Sequence, residues 1–258
     1  MQEKINKAME AVKKSDWDSA INNFTTIVEL QPDNAEAYNN LALCYANIGD
    51  YDKAEKNYLK CIELNPKIVQ SYINLADIYY RKRDFEHGIG LLNTAISELP
   101  DDLILSHYLA RFYMEDARLD MAIDELEQIL ERQPDNYDAY YDLAKVHFEL
   151  GNYQLAIENF ENVLEYKDNN EFIYYYLGQS YEANDEIDKA ISNYLKSLTI
   201  NDKFNPAYKK LAILFMARGD YEDAIEYFNS YVELDIPQEE IDNVKKLIEK
   251  IEKIKNEK

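Results

Sequence analysis

An all-α solenoid of seven stacked helical hairpins is predicted by three observations. The sequence repeats with a period of 34, small and aromatic residues return at fixed places in each period, and helix breakers are scarce. The copies are visible by eye in KSDWDSAINNFTTIVELQPDN at 14–34, IGDYDKAEKNYLKCIELNPK at 48–67 and LGNYQLAIENFENVLEYKDN at 150–169. Small residues stand 34 apart at Ala20, Ala54, Gly88, Ala122, Ala156, Ala190 and Ala224, followed by Phe24, Tyr58, Leu92, Leu126, Phe160, Tyr194 and Phe228. Only 6 Gly and 6 Pro occur in 258 residues, below the average usage of about 7% and 5%. Little chain is therefore left for anything but helix and short turns.

The period divides residues 1–236 into copies at 1–34, 35–68, 69–102, 103–136, 137–170, 171–204 and 205–236, one continuous domain without insertions. Within a copy, a first helix such as AYNNLALCYANI ends at Gly49, Gly151 or Gly219, and Asp50, Asn152 or Asp220 caps the second helix. Pro32, Pro66, Pro100 and Pro134 stop the second helices, and Asp33 with Glu36 makes a capping-box-like start for the next copy. The Ala or Gly slot lets two helices approach, and the aromatic slot fills the space beside it. Gly88-Ile89-Gly90 is read the same way and not as a phosphate loop, since no strand precedes it. Lys4 and Lys7 replace the aromatic and Leu of the inner copies, as suits a first repeat with nothing before it. In 237–258, Ile241, Val244, Ile248 and Ile251 share one face of an amphipathic helix that caps the last repeat or, alternatively, forms a dimerisation seam.

With Tyr38, Leu41, Ala42, Tyr45, Gly49, Tyr51, Ala54, Tyr58 and Pro66 in the second copy, and Tyr208, Leu211, Ala212, Phe215, Gly219, Tyr221, Ala224 and Phe228 in the seventh, the sequence resembles the tetratricopeptide repeat (TPR) family. The resemblance implies a right-handed superhelix whose first helices line a concave groove for an extended peptide or a partner helix. It also implies a protein-protein interaction scaffold or adaptor, not an enzyme. The family's carboxylate clamp is not matched, because Ile5, Met9, Gln70 and Asn74 stand where its Lys, Asn and Arg belong.

Charge and chemistry narrow the partners. A formal charge of −22 repels nucleic-acid phosphates and anionic lipid, so no nucleic acid is expected. The opening MQEKINKAMEAVKKSDW lacks a signal peptide's apolar run and no later run is long enough to insert in a membrane. With two cysteines, Cys44 and Cys61, in core slots, this predicts a cytoplasmic protein. His87, His107 and His147 fall at three different places in the unit, so neither a metal site nor a catalytic constellation is expected, and no cofactor.

At the sixth place of each copy stand Asn6, Asn40 and Asn74, then Tyr108, Asp142, Tyr176 and Lys210. The three Asn look similar to the ladder with which O-linked N-acetylglucosamine transferase holds a peptide backbone, and each carries both donors and an acceptor. The neighbouring Asn39 alternates with Ile5 and Ile73 and carries no such pattern. Further along, Tyr80, Tyr108, Met114, Tyr141, Phe148, Phe172, Tyr175 and Tyr176 fall on lining positions, while Tyr38, Tyr72, Tyr140, Tyr174 and Tyr208 take a core slot. Lining charges nearly cancel, six bases including Arg81, Arg111 and Lys145 against seven acids. The expected ligand is a peptide of micromolar affinity, aligned by the Asn ladder and anchored by apolar side chains near Tyr108, Phe148 and Tyr176. The alternatives are a self-assembling scaffold, homo-oligomeric through 238–258, and the regulatory subunit of a larger complex.

Overall fold

The computed structural model describes residues 2–256, and all fifteen regular elements among them are α-helices. They fall into two compact units. The first, Met1–Arg132, holds four hairpins: α1 (Gln2–Lys13) with α2 (Trp17–Leu30), α3 (Ala35–Asn47) with α4 (Tyr51–Leu64), α5 (Val69–Lys82) with α6 (Phe85–Glu98), and α7 (Leu103–Glu115) with α8 (Leu119–Arg132). The second, Gln133–Lys258, holds three: α9 (Tyr137–Glu149) with α10 (Tyr153–Tyr166), α11 (Glu171–Ala183) with α12 (Ile187–Ile200), and α13 (Asn205–Arg218) with α14 (Tyr221–Val232). The lone helix α15 (Gln238–Asn256) follows.

Within each unit, every hairpin has one buried seam and packs on its neighbour. The small slot of every second helix is buried, as are all seven residues of the aromatic or Leu slot. Within the first unit, Phe24 and Ile27 pack with Leu41 and Cys44. Within the second, Phe160, Tyr194 and Phe215 belong to one apolar cluster running from Ala144 to Ala224. The core readings of Cys44, Cys61 and His147 hold, since all three are buried, and burial pushes the Cys44 thiol up to about 11. The core-slot tyrosines divide: Tyr72 is buried, whereas Tyr38, Tyr140, Tyr174 and Tyr208 are half-buried.

Gly88 departs from the expected reason for a small residue. A methyl group built there would lie 2.0 Å from Phe112 Cε1, so the space is taken by an aromatic ring and not by a helix backbone. Gly178 has the same relation to Tyr194, at 2.8 Å.

The turns repeat more strictly in conformation than in sequence. Gly49, Gly151 and Gly219 have positive φ, and the equivalent place in the other four copies is left-handed too, at Ser15, Arg83, Ala117 and Asp185. A left-handed L-residue costs about 1–2 kcal/mol, partly offset by the chain entropy that Gly adds to the unfolded state. Ala117 has φ 57° and a side chain with nothing to lose, so Ala117→Gly is expected to stabilise the first unit by up to about 1 kcal/mol in a chemical denaturation curve. Unchanged or lower stability would contradict this account of the turn.

Capping differs by one residue from the sequence reading. Asn34, not Asp33, is the N-cap of α3, its side chain accepting from the Ala37 N–H at 3.0 Å, and Asn136 does the same for α9 through Ala139. Asp50 caps α4 as expected, with Lys53 N–H as donor. Asn152 and Asp220 occupy the N-cap position without a side-chain bond to the helix. Asp220 is instead paired with Arg218.

Candidate functional site

The expected lining residues sit on the first helices of the hairpins, and each unit presents its own set. In the first unit, Asn6 and Arg111 are exposed, and Asn40, Asn74, Tyr80, Tyr108 and Met114 are half-buried. In the second, Phe172 is exposed, and Tyr141, Lys145, Phe148, Tyr175 and Tyr176 are half-buried.

The Asn ladder is weaker than the sequence suggests, because each rung already spends one group on its own helix. Asn40 Nδ2 donates to Glu36 O at 2.9 Å, while Asn6 Oδ1 accepts from Gln2 Nε2 at 3.2 Å and Asn74 Oδ1 accepts from Gln70 Nε2 at 2.7 Å. What remains is a donor on Asn6, an acceptor on Asn40 and a donor on Asn74. The residue that sequence repetition passed over has the longer reach: Asn39 Oδ1 accepts from Ser71 Oγ at 2.9 Å, and Ser71 Oγ lies 3.0 Å from Cys61 Sγ. Asn39 therefore ties α3 to α5 and α4, a packing role that a 34-residue pattern cannot reveal since Ser71 takes a slot held by Ala or an aliphatic residue in every other copy after the first.

The aromatic residues form two separate patches. In the first unit, Tyr80 lies edge-on to Phe112, ring centroids 5.6 Å apart, and donates to Glu115 Oε1 at 2.7 Å, with Arg111 over its ring at 5.9 Å. In the second, Tyr176 stacks on Phe160 at 6.0 Å and Tyr141 closes the triangle edge-on, at 5.9 Å from Phe160 and 6.2 Å from Tyr176. Lys145 caps the Tyr141 ring at 5.7 Å, and burial pushes the Tyr141 hydroxyl up to about 12. Tyr175 contacts Tyr176, Tyr194 and Phe204, and Phe172 lies edge-on to Phe204 at 5.0 Å while staying 47% exposed. Packing against Phe160 of α10 and against each other thus leaves Tyr141 and Tyr176 half-exposed. Phe148 makes its ring contact with Tyr153, at 5.6 Å, and packs against the same core cluster as Tyr141 and Tyr176.

A cleft of about 360 Å³ opens between α3 and α5, with Tyr58 of α4 lining it. Leu43, Ala46 and Ile78 give it apolar walls, and Asn47, Asn74, Asp77 and Arg81 give it a polar rim. Tyr58 has no exposed surface, and no group completes a hydrogen bond to its hydroxyl. Burial raises its pKa, opposed more weakly by the nearby Asn74 carboxamide, whose approach falls short of hydrogen-bond geometry. Asp77 is also raised by burial, against the attraction of Arg81 and Arg111. Sequence reasoning counted Asp77 and Arg81 only as charges and missed Tyr58, because its slot reads as core. The signal that could have found it is that Phe24, Phe160 and Phe228 fill the same slot without a hydroxyl.

In the second unit, Glu182 gathers another polar group, taking a hydrogen bond from Tyr194 at 2.6 Å and an ion pair with Lys210 at 3.0 Å. Tyr194, unlike Tyr58 in the same slot, is satisfied. Among the described residues no helix is long and apolar enough to cross a membrane.

Comparison with known proteins agrees with this architecture. The chain is similar in structure to the C-terminal part of a TPR repeat-containing protein from Cytophaga hutchinsonii, at 19% identity and a TM-score of 0.76, covering 91% of this chain and 97% of that one. It is similar to MamA at 26% identity and a TM-score of 0.59, over 62% of this chain and 93% of MamA. It is also similar to YrrB, described as a TPR protein with an unusual peptide-binding site, at 19% identity and a TM-score of 0.59 over 71% of this chain and 95% of YrrB. A search of the curated proteins returns no match. The tetratricopeptide repeat pattern itself matches residues 35–68 and, in three overlapping stretches, 107–171, 141–206 and 175–239. The chain belongs to the tetratricopeptide repeat family, generally a non-enzymatic protein-interaction fold.

Proposed function

We propose that this chain is a non-enzymatic adaptor that seats a segment of a partner protein, extended or helical, along the groove face of its first helices. The observation that carries the reading is the half-open aromatic triangle of Tyr141, Phe160 and Tyr176 with Phe172 exposed nearby in sequence. Rings that are rigid on one side and wet on the other offer large contact area at little entropic cost, which is the usual make-up of a binding anchor. YrrB, which has the same fold, is described as carrying a peptide-binding site.

Energetics put the aromatic rings ahead of the Asn rungs. With half of each carboxamide engaged at home, three rungs supply one hydrogen bond each, at about 0.5–1.5 kcal/mol net apiece. That does not offset the several kcal/mol lost on association. Micromolar binding, about −8 kcal/mol, therefore has to come from apolar anchors.

The test is a partner segment captured with the full chain and mapped to a synthetic peptide. Phe172→Ala changes an exposed side chain, and Tyr176→Ala removes one ring of the triangle. Together they are expected to weaken that peptide at least about tenfold, with helicity by circular dichroism unchanged for Phe172→Ala. Equal affinity for wild type and both variants would overturn the groove as the binding face.

A further inference from the structure

We propose that the cleft between α3 and α5 is the seat for one carboxylate side chain, an Asp or Glu inside the partner segment. The inference rests on the groove reading above and adds the chemistry of one rung.

Three donors converge on the cleft from two helices. Arg81 is exposed and makes no ion pair or hydrogen bond among the described residues. Its neighbour Lys82, by contrast, is engaged by Asp52 and Glu55, both at 3.2 Å. Asn74 has its oxygen occupied by Gln70 and its nitrogen left to donate. Tyr58, wholly buried and lining the cleft, carries a hydroxyl without a partner. An unsatisfied buried hydroxyl costs stability, and in the same slot Tyr194 has a carboxylate, Glu182, at 2.6 Å. The fold thus already contains one example of what a tyrosine in this slot does with an acid beside it.

A carboxylate offers two oxygens and about four lone-pair sites, enough for a guanidinium fork, a carboxamide N–H and a phenol. A ligand cation would meet Arg81 and find only Asp77, which already lies in the attraction of Arg81 and Arg111. The acid belongs inside the segment and not at its end. Expected lining residues continue past the cleft in both directions, to Asn40 on α3 and to Tyr108 on α7, so the bound chain runs through.

The experiment is a selection of random dodecapeptides, displayed with a blocked C-terminus, against the full chain. The expected result is a set of binders sharing Asp or Glu at one position. Changing that acid to its amide weakens binding to wild type about tenfold or more, the range for a hydrogen bond to a charged group. Arg81→Gln, a change at an exposed side chain that makes no hydrogen bond among the described residues, gives the same loss, and the two losses do not add in a double-mutant cycle. Tyr58→Phe gives a smaller loss with the fold retained, as Phe24 and Phe160 already show in that slot. Binders without a shared acid, or with a shared Lys or Arg, overturn the carboxylate seat while leaving the groove intact, as does an acid whose loss Arg81→Gln still feels in full. A parallel selection with the C-terminus left free, if it alone returns binders, overturns the side-chain source. No binders from either selection against the full chain overturns the groove reading and this inference with it.

Discussion

Gly88→Ala is expected to destabilise the first unit by about 1–3 kcal/mol, although alanine is the better helix former by about 1 kcal/mol at an ordinary interior position. The sign reverses because the added methyl would stand 2.0 Å from Phe112 Cε1, and the ring has nowhere to go. Phe112 is 1% exposed and is held edge-on by Tyr80 at 5.6 Å and by Phe85 at 6.2 Å. The repeats supply the rescue. Where the slot of Gly88 holds Ala20, Ala54, Ala156 or Ala190, the slot of Phe112 holds Cys44, Ile78, Ser180 or Leu214. None of these is aromatic. Gly88→Ala with Phe112→Ile restores that combination and is expected to be more stable than Gly88→Ala alone, even though Phe112→Ile by itself costs stability by leaving a void. Chemical denaturation of the four proteins checks the cycle. A Gly88→Ala chain as stable as wild type would mean that the ring moves aside, and additive losses would mean that the two positions do not meet.

The same pair shows how far the sequence can be read. The period of 34, the hairpin in each period and the two core slots were legible because they are imposed seven times, and any one copy could deviate without blurring the pattern. Gly88 was legible as a small residue in a core slot but not as the partner of Phe112. That relation holds once, 24 residues apart, between a slot that is Ala in every other copy and one whose residue changes from copy to copy. Hydrogen bonding was legible least. Asn39 and Asn40 are identical in type and adjacent, yet one bonds across to Ser71 and the other back to Glu36, and what separates them is the direction of the side chain around the helix. The N-cap falls on Asn34 and not Asp33 for a similar reason: both are good caps, and only the backbone decides which one turns its oxygen to the Ala37 N–H. The Tyr58 hydroxyl escaped notice because composition by slot records a ring and is silent about what lies at its tip.

Ile248→Asp combined with Ile251→Asp is expected to cost about 4 kcal/mol or more, melting the end of the second unit without changing the mass of the particle. The amphipathic face of α15 admitted two uses, a cap on the last repeat or a seam between copies, and these residues separate them. Val244, Ile248 and Ile251 are buried within their own unit against Ala212, Phe228 and Tyr231, with Ile251 only 1% exposed. A seam would have left them open. Polar ties hold the helix in the same place: Tyr231 donates to Glu240 at 2.7 Å, Lys209 pairs with Glu240 at 2.6 Å, and Lys255 pairs with Glu222 at 2.7 Å. Lys209, then Tyr231, holds Glu240 below the ordinary glutamate range. Its contribution is therefore present above that range and is lost as pH falls through the lowered pKa. The face that α15 turns outward is mostly charged, with Lys245, Lys246, Glu249, Lys250, Glu252 and Lys253 exposed, and a cap calls for such a polar outer face. Light scattering coupled to thermal melting distinguishes the two uses. A cap predicts the same mass for wild type and variant and a lower melting temperature for the variant. A seam predicts a wild-type dimer that the double substitution splits into stably folded monomers, and that result would return α15 to the role of an assembly surface.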